Sequence, residues 1–238
     1  LSLNISREVL QQDRQLKAIA GGIEKKITAE LGKMLENERE NYDKMFEAFG
    51  LTLKFGAYNN FGFKKDELKD LLLFRSSTRD KLITLKEYVA AMKEGQTDIY
   101  YACGSDYKTI AEMPQTELLR AKGYEMLYFK DSVDEFVVKV LGEYDGKKFR
   151  NIQDGDLELN SEEEKAAVSE KKEQYKELSD YIKEKLVDKV SAVRFTDKLV
   201  TSAVCLSADG DISLEMEKTF KAMRASSPMP VEAKKVLE

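Results

Sequence analysis

Hydrophobic residues recur at helical spacing through the first part of the chain. Ser6 is a typical N-cap residue, and the apolar positions after it return every three, four or seven residues. These positions are Val9, Leu10, Leu16, Ile19, Ile23, Ile27 and Leu31. The pattern predicts a helix from Ser6 to about Leu35 that continues through two adjacent glycines.

Two shorter helical patterns follow the first. One covers residues 41–49 and is predicted to end at Gly50, since glycine is common just beyond a helix. The other covers residues 65–74, and the aromatic, glycine-bearing stretch 51–62 between them is predicted to be a loop. Together these elements predict a three-helix coil over residues 1–75.

The pattern of hydrophobic and polar residues changes after residue 75. Thr84 and Glu87 have the spacing of a capping box, which predicts a helix over residues 85–93. The patterns that follow alternate between strands and helices. This alternation favours parallel strands joined by helical crossovers, so residues 76–160 are predicted to form a small α/β/α layered unit. The predicted strands lie at 99–103, 125–129 and 148–152, and the predicted helices at 107–111, 116–121 and 134–144.

A polar stretch near residue 155 marks the next boundary. Ser161 and Glu164 have the spacing of a second capping box, which predicts a long, highly charged helix reaching about residue 187. With the two strand-like runs after it, this helix predicts a second small α/β domain over residues 161–238. The expected fold class of the whole chain is therefore α/β, as a mixed α+β arrangement. The two runs lie at 190–195 and 203–207.

A methionine-bearing amphipathic helix is predicted over residues 212–223. Its apolar side chains fall at threefold or fourfold spacing: Ile212, Met216, Phe220 and Met223. A stripe of this kind either packs into a core or forms a binding surface, because methionine adapts its shape to varied partners. The spacing alone leaves both interpretations open.

Composition excludes several classes of function. The net charge of −5 and the sequence pI of about 5.2 argue against a nucleic-acid partner, which basic proteins bind best. No apolar run approaches the roughly 20 residues of a membrane span, and nothing at the start resembles a signal peptide. The sequence therefore predicts a cytoplasmic protein without nucleic-acid or membrane partners.

The chain contains no histidine. This excludes the commonest general base, the serine and cysteine triads and most zinc sites. Cys103 and Cys205 both lie in apolar, strand-like runs, so they are predicted to be reduced, buried thiols and not metal ligands. No phosphate-loop or dinucleotide motif is present either, so self-contained hydrolytic chemistry is not expected.

Arg7 falls in the first turn of the first predicted helix. The helix dipole there favours anions, so a cation at this position costs on the order of 0.3–1 kcal/mol. A guanidinium beside a helix N-terminus suits a phosphate ligand, and Gln11 lies one turn further along the same face. The alternative interpretation is that Arg7 is solvated or pairs with Glu8 or another carboxylate.

The segment SLNISREVLQQ, residues 2–12, resembles the middle domain of the ninety-kilodalton heat-shock chaperone family, and most of all its bacterial members. Four further segments match the family in the same order, so the resemblance spans nearly the whole chain. Ser2 departs from the family pattern, because many members have proline there. The four segments are IYYACG at 99–104, KGYEMLYFKDSVDEF at 122–136, EYDGKKFRNI at 143–152 and DKLVTSAVCL at 197–206.

The resemblance implies how the segments are assigned within a longer parent protein. Residues 1–75 and 76–160 would be the later part of its middle domain, and residues 161–238 the start of its C-terminal domain, without the dimerisation helices. The parent would be a homodimeric ATPase that binds ATP and magnesium mainly through an absent N-terminal domain. The fragment alone is expected to hydrolyse no ATP.

The resemblance also implies roles for individual residues. Arg7 would contact the γ-phosphate of ATP, with Gln11 assisting and Asn4 in support. Thr219 interrupts what could be a more apolar client helix. Residues that would contact unfolded or partly folded client proteins are Ile212, Met216, Phe220, Met223 and, as a second group, Phe136 and Glu135.

A different interpretation of the same residues is an adaptor. In that case, the helical and α/β elements would dock a protein partner through the acidic surface, with no role in ATP hydrolysis, and Arg7 would be structural.

Overall fold

The structure of the chain is a computed structural model that describes residues 14–154, 157, 162–223 and 232–238. It separates into two compact units, Leu1–Leu72 and Leu73–Glu238. Among the described residues, no helix is both long enough and apolar enough to cross a membrane. The assignment of residues 1–75, 76–160 and 161–238 to family domains stays a prediction.

The described residues of the first unit are helical. Its elements pack around Tyr42, which is fully buried and whose hydroxyl donates a hydrogen bond to the carbonyl oxygen of Leu71 at 2.5 Å. The Tyr42 ring also stacks on Phe46, with 6.2 Å between the ring centroids. The helices are α1 (Arg14–Asn37), α2 (Arg39–Gly62) and α3 (Lys65–Leu68), followed by a 3-10 turn (Lys69–Leu71).

Two predictions for this unit are wrong. Helix α2 continues through Gly50, so the predicted loop over residues 51–62 is almost entirely helical, with non-helical angles only at 59–61. The third predicted helix ends early, because Phe74 belongs to a strand. An apolar run such as LLLF, residues 71–74, fits a buried strand as well as a buried helix, and periodicity alone does not separate the two.

The second unit contains a six-stranded mixed sheet. β3 lies at its centre and pairs in parallel with both β4 and β6, whereas the outer pairs are antiparallel. The expected α/β class and the parallel crossovers are thereby confirmed, although the two hairpins at the edges were not predicted. In spatial order the strands are β2 (Leu82–Thr84), β1 (Leu73–Ser76), β4 (Leu127–Phe129), β3 (Asp98–Cys103), β6 (Lys147–Asn151) and β5 (Glu143–Tyr144).

Short helices connect the strands of this sheet. The capping box predicted at Thr84 is present: the threonine hydroxyl accepts from the Glu87 N–H, and the Glu87 carboxylate accepts from the Thr84 N–H. The helix predicted to reach residue 144 ends instead at Leu141, where Gly142 adopts a φ of 76°. The helices are α4 (Leu85–Ala90), α5 (Tyr107–Ala111), α6 (Glu117–Ala121) and α7 (Asp134–Leu141).

A smaller, three-stranded sheet ends the chain. Its central strand β9 pairs in parallel with β7 and antiparallel with β8. The long charged helix predicted before it is two helices interrupted at Tyr175, whose ring stacks on Phe195 at a centroid distance of 5.7 Å. The elements are α8 (Glu162–Gln174), α9 (Lys176–Lys185), β7 (Ala192–Val193), β8 (Leu206–Asp209), α10 (Leu214–Met223) and β9 (Lys234–Leu237).

Candidate functional site

The two groups of residues predicted to contact clients lie against each other. Helix α7 carries Glu135 and Phe136, and the segment leading into and through α10 carries Ile212, Met216 and Phe220. The rings of Phe136 and Phe220 meet edge to face, with centroids 5.6 Å apart and an interplanar angle of 85°. This is a favoured geometry for an aromatic pair, because the positive edge of one ring faces the negative face of the other.

Exposure differs along the stripe of α10. Met216 is buried, with 6% of its surface exposed, and lies on the side of the helix that faces the larger sheet. Ile212 and Phe220 are half-buried, as is Phe136 on α7. The side chain of Met223 lies outside the described part of the molecule. The stripe is therefore core at its centre and reaches solvent through its flanks.

Glu135 occupies the centre of this contact. Its side chain is 3% exposed, and its Oε1 accepts hydrogen bonds from Asn151 Nδ2 at 3.2 Å and from the Tyr101 hydroxyl at 3.4 Å. Its Oε2 accepts from the Ser213 hydroxyl at 2.5 Å. A buried carboxylate needs such donors to offset the loss of its hydration. Glu135 thus joins β3, β6 and the start of α10 through one side chain.

Ser213 forms hydrogen bonds with both α7 and α10. While its hydroxyl donates to Glu135, its Oγ accepts a hydrogen bond from the Met216 N–H at 3.0 Å, which is the geometry of an N-cap. Ser213 was not predicted from the sequence. A serine directly before an amphipathic helix is a recognisable signal for the cap, but nothing in the sequence connects it to Glu135.

Two cavities lie near these helices: the smaller is lined by residues of both α7 and α10, and the larger by residues of α7 but by none of α10. One of about 90 Å³ is lined by Cys103, Glu135 and Met216, among others. The other, of about 290 Å³, is lined by Tyr101, Asn151 and Asp154, among others. Protein interiors are usually packed as densely as organic crystals, so the smaller cavity indicates that α10 is incompletely packed against α7 and the larger sheet.

Asp154, which lines the larger cavity, has a carboxyl group with an unusual environment. Its Oδ1 is buried, and among the described residues no group donates a hydrogen bond to it. Burial, and next the negative charge of Glu135, raise the pKa of Asp154 to about 7, although Lys139, Lys198 and Arg150 act in the opposite direction. Asp154 therefore titrates near neutral pH.

A second carboxylate, Glu117 at the start of α6, holds the segment before β8. Its Oε2 accepts from the backbone N–H groups of Val200, Thr201 and Ser202 at 2.7, 2.8 and 3.2 Å. Its Oε1 accepts from the hydroxyls of Thr201 and Ser202 at 2.8 and 2.6 Å. The Ser202 hydroxyl above all, with the N–H groups, holds the pKa of Glu117 far below its usual value. Sequence reasoning missed this residue too, since no motif marks it.

The predicted phosphate site lies outside the described residues. Asn4, Arg7 and Gln11 all fall in the part of the chain before residue 14, so their roles stay predictions. Over the described ranges, no three His, Cys, Asp or Glu side chains come together as metal ligands would.

Comparison with known proteins identifies the kind of chain to which this geometry belongs. The family model described as Hsp90 protein matches residues 1–238. The chain is 50% identical over 238 residues to the chaperone protein HtpG of Bacillus subtilis, and 52% identical over the same length to that of Oceanobacillus iheyensis. It is 50% identical to the chaperone protein HtpG of Clostridium acetobutylicum. Each alignment covers 100% of this chain but 38% of the relative, so the chain spans less than two fifths of the length of these relatives.

Proposed function

This chain belongs to the Hsp90 protein family, and from that premise we propose that it is part of an ATP-dependent molecular chaperone that binds unfolded or partly folded clients. The observation that carries the proposal is the match of all 238 residues, at about half identity, to proteins named as chaperones. An adaptor without a role in ATP hydrolysis is not favoured, because the match leaves no separate segment of the chain for another function.

The proposed chaperone requires segments beyond this chain. Residues 1–75 and 76–160 would be the later middle domain, and residues 161–238 the beginning of the C-terminal domain. The rest of the parent protein would supply the domain that holds ATP with magnesium and the helices that form the homodimer. On this assignment the fragment is not an enzyme by itself.

Arg7 is proposed to act on ATP that the N-terminal domain delivers. A guanidinium at the terminal phosphate stabilises the charge that spreads over the transferring phosphoryl group, and it does so most effectively in a site closed to water. Gln11 would assist from the same helix face, and Asn4 would support the loop. Hydrolysis would thereby depend on closure of one domain onto another.

The test of this role is ATP turnover by the full-length parent. Arg7→Ala is expected to lower kcat about tenfold or more, since arginines of this kind contribute roughly 10³–10⁵ in the best cases. Lys17→Ala is the matched control, because Lys17 is an exposed cation on α1, and it should leave turnover unchanged. Unaltered turnover in Arg7→Ala would remove the catalytic assignment.

Client binding is proposed for the apolar side chains of α7 and α10. Ile212, Phe220 and Phe136 support it because all three are apolar and half-buried and the rings of Phe220 and Phe136 are in contact, so an apolar client segment could extend the same cluster. Met216 and Met223 on the same stripe would add adaptable contacts. Glu135 would set the position of α10 through Ser213.

Polypeptide binding tests the client surface. Ile212→Ser with Phe220→Ser is expected to weaken binding of a permanently unfolded polypeptide about tenfold, because each change removes apolar area that the client would cover. The control is Val200→Ser with Val204→Ser, which removes two apolar side chains that are 59% and 57% exposed elsewhere on the same unit. Equal losses in both double variants would mean that clients bind no particular apolar surface here.

A further inference from the structure

Helix α10 uses much of its apolar stripe inside this chain. Met216 is 6% exposed and lines the small cavity together with Cys103, and Phe220 packs against Phe136. A side chain that is buried in its own protein cannot at the same time contact a client. In this conformation, α7 and the larger sheet therefore occupy a large part of the surface that the proposed function assigns to clients.

The contact that holds α10 in place is partly polar and partly apolar. Its central bond is the 2.5 Å hydrogen bond from Ser213 to Glu135, and its main apolar contact is the Phe136–Phe220 pair. A cavity of about 90 Å³ lies beside it. A contact with unfilled space beside it loses less packing when it opens, because the atoms around a cavity already lack neighbours.

The other side of α10 is fastened to its own sheet. Glu217 is 3% exposed and accepts hydrogen bonds from the Ala233 N–H at 3.1 Å and from Lys235 Nζ at 3.3 Å. It also pairs with Lys221 on α10 itself. These bonds tie the helix to β9, so α10 can leave α7 without leaving the three-stranded sheet.

Opening also restores water to a buried charge. Glu135 is kept from solvent in the docked arrangement, and separation of α10 from α7 would rehydrate it. A buried charge loses much of its hydration, and its partners recover this loss only in part. Ser213 would still cap α10 after separation, because the cap bond to the Met216 N–H lies within the helix segment.

We propose that α10 is a self-docked helix, and that an apolar segment of an unfolded polypeptide replaces α7 as its partner when α10 separates. The Ser213–Glu135 bond and the Phe136–Phe220 contact hold the docked state, so the availability of the client surface depends on these internal contacts. The inference rests on the proposed client-binding function and adds that binding competes with an internal contact.

Substitution of Ser213 tests the bond while keeping the helix cap. Aspartate and asparagine cap helices about as well as serine. Ser213→Asp places a second carboxylate against Glu135 and should repel α10, whereas Ser213→Asn adds no charge and serves as the control. Two measurements on each variant separate the docking from the function.

The first measurement is the rate at which hydrogen peroxide oxidises Met216, followed by mass spectrometry. Met126, which is 1% exposed in the core of the larger sheet, is the internal reference. Ser213→Asp is expected to speed oxidation of Met216 about tenfold or more with Met126 unchanged, and Ser213→Asn should behave as wild type. Continued protection of Met216 in Ser213→Asp, with a native circular dichroism spectrum, would overturn the docking.

The second measurement is the Kd for a reduced, carboxymethylated lactalbumin, which is a permanently unfolded polypeptide. Ser213→Asp is expected to bind it about tenfold more tightly than wild type, because the cost of opening is removed. If Met216 became exposed but binding did not tighten, the docking of α10 would be supported. The client surface on α10 would then be rejected, and with it the proposed competition between client and α7.

A variant on the opposite side of the contact covers the case in which Ser213→Asp unfolds the chain and exposes Met126 as well. Phe136→Ala removes the aromatic contact from α7 and leaves α10 intact. It should expose Met216 and spare Met126. If Met216 stays as protected as in wild type, the inference is wrong.

Discussion

At the residue scale, single carboxylates connect parts of the chain that are far apart in sequence. Glu117 is the clearest case, since two backbone N–H groups at 2.7 and 2.8 Å and two hydroxyls at 2.6 and 2.8 Å converge on it, with a longer N–H contact at 3.2 Å. Hydrogen bonds to the ionised form favour that form, which explains the depressed pKa of this side chain. The segment before β8 thus depends on a charge carried by α6.

Replacing this carboxylate should free the segment that it holds. Glu117→Gln keeps the shape but presents an amide NH₂ to donors, so fewer of the hydrogen bonds from residues 200–202 can form. We expect the amides of Thr201 and Ser202 to exchange with solvent deuterium about tenfold faster or more, since exchange reports local opening. Glu112→Gln, a change at an exposed glutamate, should leave exchange unaltered.

Acid should have the same effect as this substitution in the wild-type protein. The pKa of Glu117 is lower in the folded state than the ordinary value of 4.5, so its stabilising contribution is complete above pH 4.5. It is lost as the pH falls from there toward the folded-state pKa. Exchange at residues 200–202 that stayed constant on acidification, while the rest of the fold was intact, would contradict the role of the carboxylate.

At the element scale, the sequence predicts best where the signal is local. The capping box of Thr84 and Glu87 spans three residues and forms as expected. Strands β3 and β4 were recognisable from their apolar runs between helical patterns. Glu135 illustrates the limit, because its partners Tyr101, Asn151 and Ser213 come from three distant segments and no short-range pattern brings them together.

The packing around Gly50 explains why helix α2 does not end at this residue as predicted. Glycine commonly ends helices, but here it lies inside α2, and a Cβ built on it would lie 2.5 Å from Cε1 of the Phe46 ring. The glycine therefore makes room for an aromatic side chain of the same helix. A packing requirement of this kind depends on the rotamer of Phe46, which the sequence does not reveal.

The same glycine gives a stability prediction. Gly50→Ala should lower the free energy of unfolding by about 1–3 kcal/mol, because overpacking outweighs the gain in helix propensity. Gly32→Ala is the control, since nothing lies within 4 Å of its added Cβ, and it should raise stability by roughly 0.5–1 kcal/mol. Urea unfolding followed by circular dichroism measures both, and equal stabilisation by the two alanines would show that the Phe46 ring moves aside.

At the scale of the whole molecule, the two sheets of the second unit are joined largely by polar groups. Lys198 is 1% exposed, and its Nζ donates to Glu238 Oε2 at 3.0 Å and to the carbonyl oxygen of Asp154 at 3.3 Å. Gln115 Nε2 donates to the carbonyl oxygen of Leu206 at 2.9 Å. Polar contacts of this kind fix the relative position of the two sheets while their donors and acceptors are paired. Unlike apolar packing, they also depend on the charge of the groups involved.

Asp154 lies at this join and should make the stability of the fold depend on pH. Its charge faces Glu135 and Lys139 on α7, Arg150 on β6 and Lys198 in the segment between β7 and β8, and burial opposes ionisation. The pKa is about 7 in the folded chain against an ordinary 3.8, so the folded state binds more protons between these values. Stability from this group is therefore complete below pH 3.8 and is lost as the pH rises to about 7.

Asp154→Asn removes the ionisation and should be more stable than wild type by up to about 4 kcal/mol at pH 8, since the pKa is raised from 3.8 to about 7 and each unit corresponds to about 1.4 kcal/mol. The difference should shrink below pH 7 and vanish near pH 4, which urea unfolding of both proteins across that range would measure. Asp211→Asn, at an exposed carboxylate beside the same cavity, should show no such dependence. If Asp154→Asn instead lost stability at every pH, the carboxylate would be ionised and paired in the folded chain, and the join between the sheets would rest on its charge.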